Sequence, residues 1–96
     1  MEEGDGTMGN EKKEQKIGQI LELIALILED VAMPKNIRAA MEAARTKLKE
    51  EGDPDVRAGG AIYCLGEVSE DINLSAHARI QIWNVLSALE TIKEIT

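Results

Sequence analysis

Three arginines stand in one recurring local setting, each directly after an apolar residue: Ile37-Arg38, Val56-Arg57 and Ala78-Arg79. Acids lie close by in every case, at Glu29-Asp30, Asp53/Asp55 and Glu70-Asp71. A guanidinium fork can grip a carboxylate bidentately or reach turn carbonyls, and so tie one helix end to another; the same fork can hold an anion. Glu29, Asp30, Arg38, Arg57, Glu70, Asp71, His77 and Arg79 are therefore candidates for a structural tie or an anion site, with the tie the commoner use of charge at turns. His77 is the one histidine. It has no nucleophile motif of the Gly-x-Ser-x-Gly kind to serve, and Cys64 sits in an apolar stretch where a thiol is usually inert. The acid pairs lack an Asp/Asn/Gly loop that would converge several oxygens on a hard cation. No catalytic residue, metal site or cofactor is expected.

The elements that must position these residues are written twice. Glu29-Asp30-Val31-Ala32-Met33-Pro34-Lys35-Asn36-Ile37-Arg38 returns as Glu70-Asp71-Ile72-Asn73-Leu74-Ser75-Ala76-His77-Ala78-Arg79. The spacing from Glu29 to Glu70 also separates Arg38 from Arg79, Met41 from Ile82 and Leu48 from Leu89. One helix–turn–helix unit cannot bury its apolar face alone, and two can. The pattern predicts a hairpin of helices used twice. The loop followed by an apolar residue and Arg also looks like HEAT-type hairpins, but two hairpins fall below the roughly three repeats that a solenoid needs.

Residues 1–10, with Gly4, Gly6 and Gly9 among acids and small polar residues, are expected to form a disordered tail. From Glu11 to Asp30, Ile17, Ile20/Leu21, Ile24, Ile27/Leu28 and Val31 share a helical face. Pro34 suits the first position of a second helix, whose stripe is Ile37, Ala40, Met41, Ala44 and Leu48. Glu51-Gly52 stops it, and Asp53-Pro54-Asp55 starts a third helix over Pro54–Ser69 with a capping acid and an N-terminal proline. Apolar residues surround that helix, and Gly59, Gly60 and Gly66 interrupt it, which predicts burial on several sides and close approach of neighbouring backbones. Ser75 caps a fourth helix with the seam Ala78, Ile82, Val85, Leu89 and Ile92. The expected fold is all-α, a four-helix up-and-down bundle built from two duplicated hairpins over residues 11–96.

A chain of 96 residues with 44% hydrophobic residues can form one domain with a packed core. With no Phe, one Trp and one Tyr, that core must be aliphatic. A net charge of −7 opposes nucleic-acid backbones and anionic membranes alike. The single Cys cannot make an intramolecular disulfide, and no apolar run approaches the roughly 18 residues of a membrane span. A cytoplasmic protein is expected. Leu23, Leu26, Ile80 and Trp83 fall outside the helical stripes and form a candidate interface for a homodimer or an unidentified protein partner.

Several of these pieces together resemble a known family. Glu29-Asp30 with Met33-Pro34-Lys35-Asn36-Ile37-Arg38, Asp55-Val56-Arg57-Ala58 with Ala61-Ile62-Tyr63, Val68-Ser69-Glu70-Asp71, His77-Ala78-Arg79 and Ile82-Trp83-Asn84 look like uncharacterised protein family zero-one-four-seven. The resemblance spans roughly Lys16 to Glu90. It implies an all-helical bundle, an archaeal cytoplasm and self-association, and it brings no activity or functional residues. Ser75 stands where such sequences tend to have proline, which exchanges one helix-start device for another. The expected function is a non-enzymatic interaction or self-association module. The alternative is a small-molecule or anion binder built on the Arg and acid residues of the duplicated turns.

Overall fold

The computed structural model describes residues 2–95, those of 2–8 by their backbone alone. Four helices follow one another: α1 (Glu2–Leu28), α2 (Lys35–Lys49), α3 (Pro54–Ser69) and α4 (Ala76–Glu94). No strand occurs among the described residues. The helices form a ring in which α2 packs on α3, α3 on α4, and α1 on both α4 and α2; α1 also touches α3, whereas α2 and α4 lie across the diagonal.

Helix periodicity accounts for the core. Ile37, Ala40, Met41, Ala44 and Leu48 of α2 and Ala78, Ile82, Val85, Leu89 and Ile92 of α4 are buried, the stripes that their spacing picks out. From α1 come Ile17, Ile20, Ile24, Ile27 and Leu28; from α3, Ala58, Ala61 and Leu65. Each fully buried Ile or Leu contributes about 1.5–3 kcal/mol over its exposed state, so these rows dominate the stabilisation. Val31 belongs to no stripe: it sits beyond the end of α1 and is 96% exposed.

The helix starts follow local chemistry. Asp53 Oδ1 accepts the Asp55 backbone N–H at 2.8 Å with Pro54 at the first helical position, and Ser75 Oγ accepts the Ala78 N–H at 3.1 Å. Pro34 is the N-cap of α2 rather than its first residue, with φ −61° and ψ 155°. Past the end of α2, Gly52 takes φ +125°, a conformation open to glycine and strained for other residues. α1 begins at Glu2 instead of Glu11, so its backbone is helical where a tail was expected; Met1 lies outside the described residues. Once a helix exists, each added residue gains a hydrogen bond at little nucleation cost, and glycines without a proline or cap weaken such an extension without stopping it.

The glycines of α3 do not mark close backbone approach. A Cβ at Gly59 or Gly66 would meet nothing within 4 Å, and one at Gly60 would meet only the flexible Lys47 methylenes, 3.2 Å away. Nor is α3 buried all round, since Val56 and Tyr63 are 72% and 69% exposed. Gly59→Ala and Gly66→Ala should each stabilise the fold by about 0.8–1 kcal/mol. Gly52→Ala should destabilise it by about 1–3 kcal/mol, because no side chain relieves its backbone angle. Urea unfolding followed by circular dichroism of the three variants checks both signs.

Candidate functional site

The two short turns, α1–α2 and α3–α4, close in the same way. Asp30 O accepts the Met33 N–H at 3.1 Å, and Asp71 O accepts the Leu74 N–H at 3.3 Å. Asp30 Oδ1 accepts the Ala32 N–H and Asp71 Oδ1 the Asn73 N–H, both at 2.9 Å. Such Asx turns arise because a short carboxylate can bond its own backbone two residues on. Val31 and Ile72 stand out into solvent at the tips, while Met33 and Leu74 tuck into the core.

The second oxygen of each turn carboxylate binds the other hairpin. His77 Nε2, on α4, lies 2.7 Å from Asp30 Oδ2, and Asn36 Nδ2, on α2, donates to Asp71 Oδ2 at 3.2 Å. The spacing from Asn36 to His77 is the same as that from Asp30 to Asp71, and the two hairpins clasp each other reciprocally. The His77 hydrogen bond, followed by the one from the Ala32 N–H, holds the Asp30 carboxyl below its usual 3.8. Asn36 was not a sequence candidate, although its spacing from His77 would have found it.

The arginines divide. Arg38 Nη1 donates to Asp30 O at 3.0 Å, tying the first turn of α2 back over the end of α1. Arg57, whose side chain is 11% exposed, lies at the other end of the bundle. Its Nε donates to Leu48 O at 3.1 Å, and its Nη1 to Gly52 O at 3.3 Å and to Glu14 Oε2 at 2.7 Å, so it fastens α2, the following loop and α1 together. Beside it, Lys13 Nζ bonds Asp55 Oδ2 at 3.1 Å. The Arg79 guanidinium makes no hydrogen bond or ion pair among the described residues; the backbone N–H of the same residue donates to Ser75 O at 3.0 Å. Arg79 borders a cleft of about 260 Å³ with Ser69, Leu74, Ile82, Trp83 and Leu86. Arg38, Asp30 and His77 thus gather at one junction, paired with one another or with backbone. Arg57 stands apart, and Glu29 and Glu70 are exposed at the turns.

Of the candidate interface residues, Leu26, Ile80 and Trp83 are 65%, 58% and 67% exposed, whereas Leu23 packs partly against the core. Val31, Val56, Tyr63 and Ile72 add exposed apolar surface that sequence periodicity had assigned inward or left unassigned. Cys64 is free and partly buried. Among the described residues, no three His, Cys, Asp or Glu side chains gather as a metal ion would need, and no helix is long and apolar enough to cross a membrane.

Residues 4–92 match the model of the Uncharacterised protein family (UPF0147). The chain belongs to this family. A UPF0147 protein of Saccharolobus islandicus (strain L.S.2.15 / Lassen #1) is 46% identical over 82 residues, 84% of this chain and 92% of that relative. One from Methanocaldococcus jannaschii is 41% identical over 90 residues, 88% of this chain and 97% of its own. The crystal structure of unknown function protein MMP1188 superposes with a TM-score of 0.73 at 43% identity, covering 79% of this chain and 88% of that one. The UPF0147 name and those of the relatives carry no activity, so the family supplies a fold and leaves the chemistry to be argued from the surface.

Two outcomes follow for this UPF0147 chain. Because the Asp30 carboxyl titrates lower folded than unfolded, its contribution to stability is present above the unfolded value and is lost as pH falls through the folded one. Asp30→Asn should therefore flatten the loss of stability below about pH 4 in a melting series. Arg57→Ala removes the donors to the partly buried Leu48 carbonyl and should cost about 1–3 kcal/mol in chemical unfolding.

Proposed function

We propose that this protein is a non-enzymatic helical module of the archaeal cytoplasm that acts by self-association, two copies meeting through the face that carries Ile80 and Trp83. One observation carries the proposal: the only Trp of the chain is 67% exposed, close along α4 to a 58% exposed Ile80, in a protein with abundant aliphatic residues to bury. Trp is enriched at the centres of interfaces, and an exposed apolar side chain of this size gains about 1.5–3 kcal/mol on burial. Leu26 offers a further contact on α1. The lone thiol and the acidic balance favour a reducing, cytoplasmic setting.

The non-enzymatic part of this proposal rests on how the polar residues are used. His77 is taken up by Asp30, Arg38 by a turn carbonyl and Arg57 by three elements at once. The matched bonding of the two turns supports the view that the chain contains two copies of one hairpin. On that view, charge at the turns fixes how the copies cross, and the anion-binding alternative keeps only Arg79.

Light scattering coupled to size-exclusion chromatography over a concentration series should give a mass rising to two chains. Ile80→Asp, an exposed position, should shift the midpoint at least tenfold to higher concentration while leaving the helical content intact. A single-chain mass at every concentration, unchanged by the substitution, overturns the proposal.

A further inference from the structure

The two hairpins differ most on the outer faces of α2 and α4. Glu42 and Arg45 of α2 form an ion pair over its surface. The equivalent positions of α4 hold Trp83 and Leu86, and there the surface opens into the cleft of about 260 Å³ between α4 and the end of α3. The Arg38 guanidinium is engaged by the Asp30 carbonyl, whereas that of its counterpart Arg79, at the rim of the cleft, makes no hydrogen bond or ion pair among the described residues. Leu74 and Ile82 form a buried floor and Leu86 is partly buried. Arg79 is the one ionisable side chain in the lining, since the Ser69 hydroxyl donates to Gly66 O at 2.8 Å and is neutral.

We propose that this cleft binds a small amphipathic monocarboxylate, its apolar body on Leu74, Ile82, Leu86 and the Trp83 ring, and its carboxylate on the Arg79 guanidinium. A cavity of about 150 Å³ accepts benzene, so a volume of about 260 Å³ has room for a longer aliphatic or aromatic body. Pockets of this kind draw affinity from apolar walls and orientation from one or a few placed polar groups. The planar fork of Arg matches a carboxylate bidentately, which sets an acid apart from an alcohol or amine of the same shape. With one cation in the lining and a net charge of −7 on the chain, a single negative charge suits the site better than a dianion.

The proposal does not rest on self-association, although both use Trp83. Octanoate, 1-octanol and octylamine are titrated separately against the emission of Trp83, the only Trp in the chain. Expected is a saturable change for octanoate at a concentration at least tenfold below that for octanol, and none of comparable strength for octylamine. Arg79→Gln should bring octanoate to the level of octanol, about a tenfold loss or more for a charge-assisted hydrogen bond, with unchanged circular dichroism. The series is repeated on Ile80→Gln, which adds no carboxylate beside Arg79, and light scattering is recorded on the same samples. Binding to Ile80→Gln alone supports the cleft and shows that a second copy covers it. No saturable response in either protein, an equal response to octanol, or an Arg79→Gln variant that retains the preference overturns the proposal, whatever mass the scattering gives.

Discussion

An aliphatic interior is the constraint on which the rest depends. With Phe absent and the single Trp and Tyr both facing solvent, the hydrophobic core of the described residues is built from Ile, Leu, Val, Met and Ala. Side chains of that size fill the space between helices only where the helices approach closely. The alanines show where this happens: Ala40 and Ala44 on α2 face the core together with Ala58 and Ala61 on α3, and these two helices make the most extensive contact in the molecule. Long connections would let such a core slide, and the turns are short and internally bonded.

Polar chemistry is accordingly concentrated at the ends of the bundle. Asp30 and Asp71 each use one oxygen to close their own turn and the other to hold the opposite hairpin, so forming a turn and registering the two halves depend on the same side chain. Exposed hydrogen bonds of this kind are individually modest, and they select a register while apolar burial supplies most of the free energy. Arg57 does the same at the far end from a more enclosed position. The second hairpin departs from the first at Arg79, Trp83 and Leu86, where the structural economy of the first gives way to an open apolar surface.

Periodicity in the sequence was enough to assign the buried rows of α2 and α4, because a one-sided stripe at steps of three and four leaves a helix little choice of face. The caps at Asp53 and Ser75 were equally legible, being settled within three residues. The start of α1 was not, since a helix end with no stop signal is decided by propagation. Gly59 and Gly66 were misread because a glycine's neighbours across a helix interface are set by packing. Among the candidate polar residues, spacing brought Arg38, Asp30 and His77 to one junction, but only coordinates distinguish Arg38, already bonded, from Arg79. Leu26, Ile80 and Trp83 were recognisable as lying off the stripes; Leu23 lies off its stripe too, yet neighbouring side chains cover much of it.

The 27-residue α1 is about 40 Å long at 1.5 Å per residue, and the molecule measures 51 × 22 × 18 Å. Its radius of gyration, 14.0 Å, exceeds the roughly 12.5 Å typical of a compact chain of this length. A rod-like particle meets more friction than a sphere of equal mass. It therefore migrates through a gel matrix and tumbles in solution as a heavier body would, so a single copy calibrated against spherical standards would pass for something larger than it is.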